Sequence, residues 1–522
     1  MTLNFQVDSE KPATPVEKKI RILLFGNFSG SDAERPTLAA VPLNRNQWDG
    51  LFVQFKPSID LTLTLDNRIE IPGHLAFKSL ADFQAKNVAR NIPFLLQLNQ
   101  LADAVGSASE NQPLDVQALL PKLNLLEPLV RLAKDFKDEP ALDLLNMVDL
   151  GEADEAASGW SFKWLKALLA KPSYQGHKRE ATVNELRTIE AELLGQVQKL
   201  PKFKALEALW RSLKEALSSC RAPLEWALVD CADHEICDAV YLVCIKPEQG
   251  EPEPVDLVVS AFQYGMSEED LHRIYHLGRM GETLQAPVLL SAHPQLFGLN
   301  SNRMLQHYKD ISGRMNGPAY AKWRKQREHS GSRWLFMAVN QFGLKSDDES
   351  QNEDTAVFGP GSLALAFVLA KELKENRWPG ELLSPIGELD SFTHTESILT
   401  EQQGMDLGYE GFCAITQNRV NTAVQLLSMN SMAQVTIGLG ESPSARDFVE
   451  FTLPYMFFVG CLARFLQKNG RADDAKERVK AYIGSLRDED VVTEEADGQL
   501  LFRVKPPFSI YRIKPDIVLG VE

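Results

Sequence analysis

The 522-residue chain is 44% hydrophobic and 24% charged, a globular composition with enough apolar material for a sizeable core. Its 55 Lys and Arg against 71 Asp and Glu leave a net charge of −16, which excludes nonspecific nucleic-acid binding, since that relies on a positive field. The N-terminus has no apolar signal core, and the most apolar stretch, 451–466, is interrupted by Pro454 and Arg464 and is too short for a bilayer. Six cysteines without paired spacing fit a reducing cytoplasm, so a cytoplasmic protein that is not integral to a membrane is expected.

In chain order, Leu3, Phe5 and Val7 alternate with polar residues, the period of a half-buried strand, and a polar, Pro-containing arm follows. Residues 20–25 form a near-continuous apolar run, which predicts a central strand buried on both faces, ending in the turn-rich Gly26–Gly30 loop. Residues 61–65 alternate and 69–71 continue them as a hairpin; 88–105 reads as helix, and 113–150 carries leucines at helical spacing. The acidic, small-residue stretch 151–159 is the best linker. It divides the chain into 1–150, a linker with an amphipathic helix at 151–182, and 183–522. That helix, 160–170, places Trp160, Trp164, Leu165 and Leu168 on one face, a face expected to pack on its own domain.

Residues 182–218 predict a helical pair broken at Pro201. Strands are expected at 224–231, 239–245, 255–262, 287–291, 333–339, 408–415 and 433–437, with helices at 268–283 and 361–375, the latter closed by Gly380. The polar stretch 341–356 reads as a surface loop. Ser442 and Pro443 predict the start of a long apolar helix kinked at Pro454 and ending at Gly470, followed by an amphipathic helix at 472–486. At the end of the chain Leu500, Phe502 and Val504 alternate, Phe508 and Ile510 open a second short run, and Ile517, Leu519 and Val521 form a third. Strands this short at both termini want partners, within the chain or in another copy. The fold class is α/β with mixed α+β character.

No arrangement asks to be a catalytic centre. The Gly26–Gly30 loop has no following Gly-Lys-Ser/Thr and no GxGxxG. Cys231, His234 and Cys237 lack a fourth zinc ligand, and His272 and His276 lack the Glu of a zincin. No catalytic residue, cofactor or metal is expected.

The sequence nevertheless resembles the contractile sheath of type VI secretion systems, itself related to phage tail sheaths, with small and large sheath subunits fused in one chain. The small-subunit likeness covers residues 18–105. It rests on Leu3–Val7, the Ile22-Leu23-Leu24-Phe25-Gly26-Asn27-Phe28-Ser29-Gly30 run, Arg35-Pro36, Lys56-Pro57 and Phe77-x-Ser79-Leu80-x-Asp82-Phe83. The large-subunit likeness begins near Val183. It rests on Pro201-x-Phe203-x-x-Leu206-Glu207-x-x-Trp210-Arg211, Ala286-Pro287, Pro294-x-Leu296-Phe297-Gly298, Thr395-Glu396, Leu407-Gly408-Tyr409 and Leu453-Pro454-Tyr455.

The resemblance implies a multi-domain, tail-sheath-like structural protomer and not an enzyme. It would polymerise as a six-fold helical homopolymer around inner-tube hexamers, on a baseplate, in an assembly docked to the inner membrane, and contract to propel the tube. It further implies strand exchange between protomers through Leu3, Phe5, Val7, Leu500, Phe502, Val504, Phe508, Ile510 and Ile513. An AAA+ disassembly ATPase is the remaining implied partner, and its recognition helix falls at Leu144, Leu145, Met147 and Val148. The sequence departs from the family in the fusion itself, in a shortened large-subunit half and in Cys461, which stands where the family pattern has Arg. Two other readings remain open: a sheath-like adaptor or cap at the baseplate, and a soluble α/β enzyme or phosphate-ligand binder using the Gly26–Gly30 loop.

Overall fold

The computed structural model describes residues 19–66, 68–135, 162–176, 178–219, 223–247, 250–344, 356–380, 382–383, 389, 392, 394–436, 444–484, 486–496 and 499–521. The N-terminal alternation at Leu3, Phe5 and Val7, the linker at 151–159 and the segment with Leu144, Leu145, Met147 and Val148 lie outside the described residues, as do Ser442 and Pro443.

The fold is α/β. Strand β1 (Ile20–Gly26) is followed by a short strand β2 (Ala40–Pro42) and the hairpin β3 (Ser58–Leu65) and β4 (Ile69–Ala76). Next come helices α1 (Ala85–Asn91), α2 (Pro93–Ser107), α3 (Lys163–Leu169), α4 (Arg179–Lys199) and α5 (Pro201–Ser219). The second part supplies β5 (Leu224–Asp230), β6 (Leu257–Tyr264), α6 (Glu268–Leu284), β7 (Val288–Ala292), β8 (Leu335–Val339), α7 (Gly361–Glu375), α8 (Glu401–Tyr409), β9 (Phe412–Gln417) and β10 (Val424–Leu426). It ends with α9 (Leu453–Asn469), α10 (Ala475–Ile483), β11 (Val491–Ala496), β12 (Gln499–Val504) and β13 (Ile517–Val521).

Eight strands form one sheet in the order β10-β9-β8-β7-β6-β1-β5-β2. The six inner strands are parallel, and the short outer strands β2 and β10 run antiparallel to their neighbours. Helices cover both faces, which is why β1 carries apolar residues continuously. Ile20, Ile22 and Leu24 enter one core and Leu23 and Phe25 the other, all fully buried. Burying five such side chains contributes roughly 8–15 kcal/mol. Because β1 is bonded to β5 on one side and β6 on the other, the first segment of the chain completes the sheet of the second.

Around α4, helices α1 and α2 of the first segment and α3 of the linker build a helical layer. Leu186, Ile189, Leu193 and Val197 form its buried stripe, against which α1, α2 and α3 pack. Leu165 and Leu168 of α3 are buried there, so this amphipathic face does pack on its own chain. The Gln196 carboxamide bonds both backbone groups of Thr64, at 2.9 Å each, and thereby takes the place of a strand beside β3.

Several sequence expectations are corrected. The apolar run 239–245 is not a strand. Ile236–Val240 is α-helical and Tyr241–Ile245 a π-helical turn, with Ile236, Ala239, Val240 and Cys244 buried at helical spacing as the crossover from β5 to β6. Pro454 does not kink a helix but sits in the first turn of α9, where a missing N–H costs nothing. Gly408 lies in α8 rather than a strand, and 433–436 is not strand. Helix α7 ends at Glu375, four residues before Pro379, so Gly380 does not close it. Phe342 and Gly343, read as surface loop, are buried and pair with Phe358 and Gly359.

Candidate assembly interfaces

Two regions gather the motif residues and the open strand edges: the seam between the first and second segments, and the terminal sheet.

At the seam, the motif residues of the two segments meet. Ser79 opens a tight turn in which the Asp82 carboxylate accepts the backbone N–H groups of Lys78 (2.7 Å) and Ser79 (2.9 Å). This closes the loop so that Phe77 and Phe83 stack 4.1 Å apart, and Phe203 from the start of α5 packs on both. Trp210, fully buried on α5, donates its indole N–H to the Phe28 carbonyl at 3.0 Å and stacks on Phe52 at 4.0 Å. Gly30 adopts φ +74°, and a Cβ there would lie 2.4 Å from the Ser58 carbonyl oxygen, so glycine is required for the turn and for the approach of β3.

Arg35 is the electrostatic centre of the seam. Its Nε donates to Asp230 Oδ2 at 3.0 Å, Nη1 to Ala33 O at 2.7 Å and to Glu235 Oε2 at 3.4 Å, and Nη2 to Asn27 Oδ1 at 2.7 Å and Ser29 Oγ at 2.9 Å. The side chains of Arg35, Asp230 and Glu235 are only 9%, 16% and 10% exposed. Removing one partner of such a group strands the others in low dielectric. Arg35→Ala should therefore cost about 3–5 kcal/mol, read as a drop in the denaturation midpoint. Arg35→Leu combined with Asp230→Leu and Glu235→Leu should recover part of that loss; a single variant as stable as the parent would show that the network is not needed.

The terminal sheet has the order β11-β12-β13, fully antiparallel. Phe502 and Val504 of β12 and Ile517 of β13 point into the main core, as does Ile510, and all four are essentially fully buried. Residues 508–513 form no strand run. Instead Ile510 and Ile513 bond each other at 2.8 Å in both directions across Tyr511 (φ 50°) and Arg512 (φ 61°), a mirror-image two-residue turn. Phe508 packs on Phe458 of α9 at 5.2 Å and Ile513 lies partly buried against the core. Leu500, Phe502 and Val504 thus belong to a strand paired on both sides within the chain, and among the described residues the unpaired edges belong to β11 and β13.

These edges differ chemically. Strand β11 carries Thr493-Glu494-Glu495, charges that discourage pairing; β13 reads Ile-Val-Leu-Gly-Val, without a charge, and Val518 is 48% exposed. Beside β13 runs a groove of about 510 Å³, floored by Tyr455, Met456 and Val459 of α9 and flanked by Arg333 and Asp516. Glu282 and Glu450 also line it, so the groove is of mixed character; an edge strand facing a helix across a groove is the geometry in which an extended segment adds a strand.

Helices α9 and α10, which precede this sheet in the chain, each make a polar joint to the rest of the structure. Arg464 of α9 reaches Asp256 Oδ1 at 2.6 Å and donates to the Leu284 carbonyl at 3.2 Å, while Asp256 also accepts the Arg21 backbone N–H at 2.8 Å. Arg464 stands one helical turn beyond Cys461, whose buried thiol lies 3.5 Å from the same carboxylate. At the other joint, Trp378 donates to the Ile483 carbonyl at 2.9 Å and Arg377 to Tyr482, joining the end of α7 to α10. Glu372 is buried beside this joint. One of its oxygens accepts from Asn376 at 3.0 Å, and the Gly380 backbone also faces the carboxyl. Burial pushes its carboxyl above the ordinary glutamate range. The folded protein therefore binds this proton more tightly than the unfolded chain, and stability falls as pH rises through the ordinary glutamate pKa toward the raised one. Glu372→Gln is expected to stabilise the protein at neutral pH, and the gain should vanish below the ordinary glutamate pKa in paired melting curves.

Of the remaining candidates, Cys231 directly follows β5, fully buried with its thiol pKa raised by burial, and burial, with Asp238, pushes Cys237 up to about 11. Among the described residues no group of three or more His, Cys, Asp or Glu is placed to hold a metal. His272 and His276 meet edge to face, 4.3 Å apart, on one face of α6. No described helix is long and apolar enough to cross a membrane. Sequence reading missed β10 and β11 entirely, and it missed Asp230 and Glu235 as partners of Arg35.

Residues 247–433, which run from β6 to β10, match the VipB family, the EvpB/VC_A0108 tail sheath N-terminal domain. A curated relative is the type VI secretion system sheath protein TssC1 of Pseudomonas aeruginosa, 20% identical over 358 residues, covering 58% of this chain and 70% of that protein. Among solved structures, the sheath tail protein Lin1278 of Listeria innocua is similar at 8% identity with a TM-score of 0.33. The match covers 56% of this chain and 61% of that one, so the chain spans about three fifths of that protein.

Proposed function

We propose that this chain is a protomer of a type VI contractile sheath in which small- and large-subunit-like segments are fused, acting structurally and without catalysis. The observation that carries the fusion is the placement of β1 between β5 and β6. A strand from the first segment, central in the sheet of the second, is what two tightly joined subunits would share. The meeting of Phe77, Phe83 and Arg35 with Phe203, Asp230 and Glu235 supports the same reading.

Polymerisation would proceed by strand addition. The acceptor in this reading is the β13 edge with its α9 groove, and the donor is the alternating Leu3, Phe5 and Val7 segment of a neighbouring copy. Strands β12 and β13 then act as a seat, rather than Leu500–Val504 leaving to join another sheet. The polymer would enclose an inner tube, stand on a baseplate in the cytoplasm, and contract by repacking of protomer faces while strand contacts persist. Recycling by an AAA+ ATPase through 144–148 belongs to the same proposal. Negative-stain electron microscopy of the purified chain tests it: hollow tubes are expected, and a well-folded chain that stays monomeric with inner tube and baseplate present would sink it.

A further inference from the structure

The parallel sheet has a crevice at the carboxyl ends of its strands, lined by none of the residues of the β13 groove. Its chain order reverses at β1, which has β5 on one side and β6 on the other, and the carboxyl ends of neighbouring strands open there onto a cleft of about 670 Å³. In doubly wound sheets the carboxyl-end crevice at such a reversal is where small ligands bind, and this volume is in the range of ligand pockets.

The walls come from four strand ends: Asn27 after β1, Phe262 and Gln263 at the end of β6, Ser301 and Arg303 after β7, and Gln341 after β8. Three lining features are chemically specific. The Gln263 and Gln341 carboxamides make no hydrogen bond within the described structure, so each presents a donor and an acceptor to the cleft. Phe262 and Phe358 are only partly buried and offer aromatic surface. Lys202, Lys204 and Arg303 bring positive charge to the rim of a protein whose net charge is −16, with Asp32 and Glu396 as the acidic lining groups. Lys202 is ion-paired to Asp32, both well exposed, a contact a stronger anion can replace.

The backbone is also unusual here. Strand β6 breaks register between Val259 and Gln263, which aims Gln263 differently from a regular strand. Asn340, buried at the end of β8, holds φ +82° and is fixed by bonds to the Ser397 and Ile415 carbonyls. Together these set Gln263 and Gln341 on rigid strand ends.

We propose that this cleft binds a nucleoside phosphate: the Gln263 and Gln341 amides read the base edge, Phe262 and Phe358 contact its face, and Lys202, Lys204 and Arg303 hold the phosphates. Paired donor–acceptor amides, aromatic surface and clustered cations are complementary to the three parts of that ligand class. The site spans both segments, since Asn27, Gly30 and Asp32 come from the first and the rest from the second, so an occupant would also tie the seam together.

Isothermal titration of the full chain with ATP, AMP, adenosine and inorganic phosphate tests the assignment. Saturable ATP binding is expected, weakened at least about tenfold by Gln263→Ala with Gln341→Ala through loss of base contacts. Lys202→Glu should weaken ATP more than adenosine. No saturable binding at millimolar ATP, affinities unmoved by either variant in proteins with parental melting curves, or inorganic phosphate bound as tightly as ATP would each overturn it. Tube formation is scored on the same preparations, so a failed cleft and a failed sheath reading remain distinguishable.

Discussion

Cleaving the chain once within 151–159 should leave the two fragments bound together through size exclusion at micromolar concentration. Strand β1 is hydrogen-bonded on both edges and its five apolar side chains are fully buried, so its withdrawal would open the sheet at the centre. The hydrophobic term alone is roughly 8–15 kcal/mol, and the Arg35 network and the Trp210 stack add to it. Such totals lie well beyond what dilution to micromolar levels can overcome. Produced without residues 1–135, the second segment should be insoluble, because β5 and β6 would face each other across an empty strand position. Adding the first fragment during refolding should rescue it. Fragments that separate cleanly and stay folded would show that the segments are independent domains and would remove the main support for a fused pair.

Blocking the β13 edge should abolish tubes without unfolding the protomer. Val518 is half exposed and Val459 only partly buried in the adjoining groove, so lysines at both positions place charge where an added strand would lie while leaving Phe502, Val504 and Ile517 in place. Leu3→Pro with Phe5→Pro should have the same outcome from the donor side, since proline removes ladder donors. The control is Glu494→Lys on β11, which should leave tubes intact. Tubes that survive the β13 lysines but fail with the β11 variant would move the acceptor to the other edge. Tubes indifferent to all three would remove strand addition from the proposal and leave the sheath reading standing.

Much of the sheet was legible in the sequence because its strands are short runs of β-branched and apolar residues between turn signals. Residues 20–25, 224–230 and 288–291 are of this kind. The same signal misled at 239–245, where an apolar run of strand composition is a crossover helix: period alone does not separate a buried strand from a helix apolar all round. Strand β11 was illegible because its Glu494 and Glu495 are an edge strategy, and β10 because three residues carry no period. The candidate interface was legible as residues but not as topology. The alternation of Leu500, Phe502 and Val504 announces a strand, yet nothing local reveals that it is paired on both sides. Likewise Arg35 cannot announce partners about two hundred positions away.

The central place of β1 also sets a clock during synthesis. Its partners follow at 224–230 and 257–260, so at roughly 5–20 residues per second β1 leaves the ribosome about 10–40 s before β5 is complete. Throughout that interval Ile-Arg-Ile-Leu-Leu-Phe has no sheet to enter and is a segment that chaperones would hold. Were the segments separate polypeptides, the wait would depend on the partner's concentration. On one chain it is bounded by the length of the intervening helices, so tethering turns a bimolecular search into a timed intramolecular one.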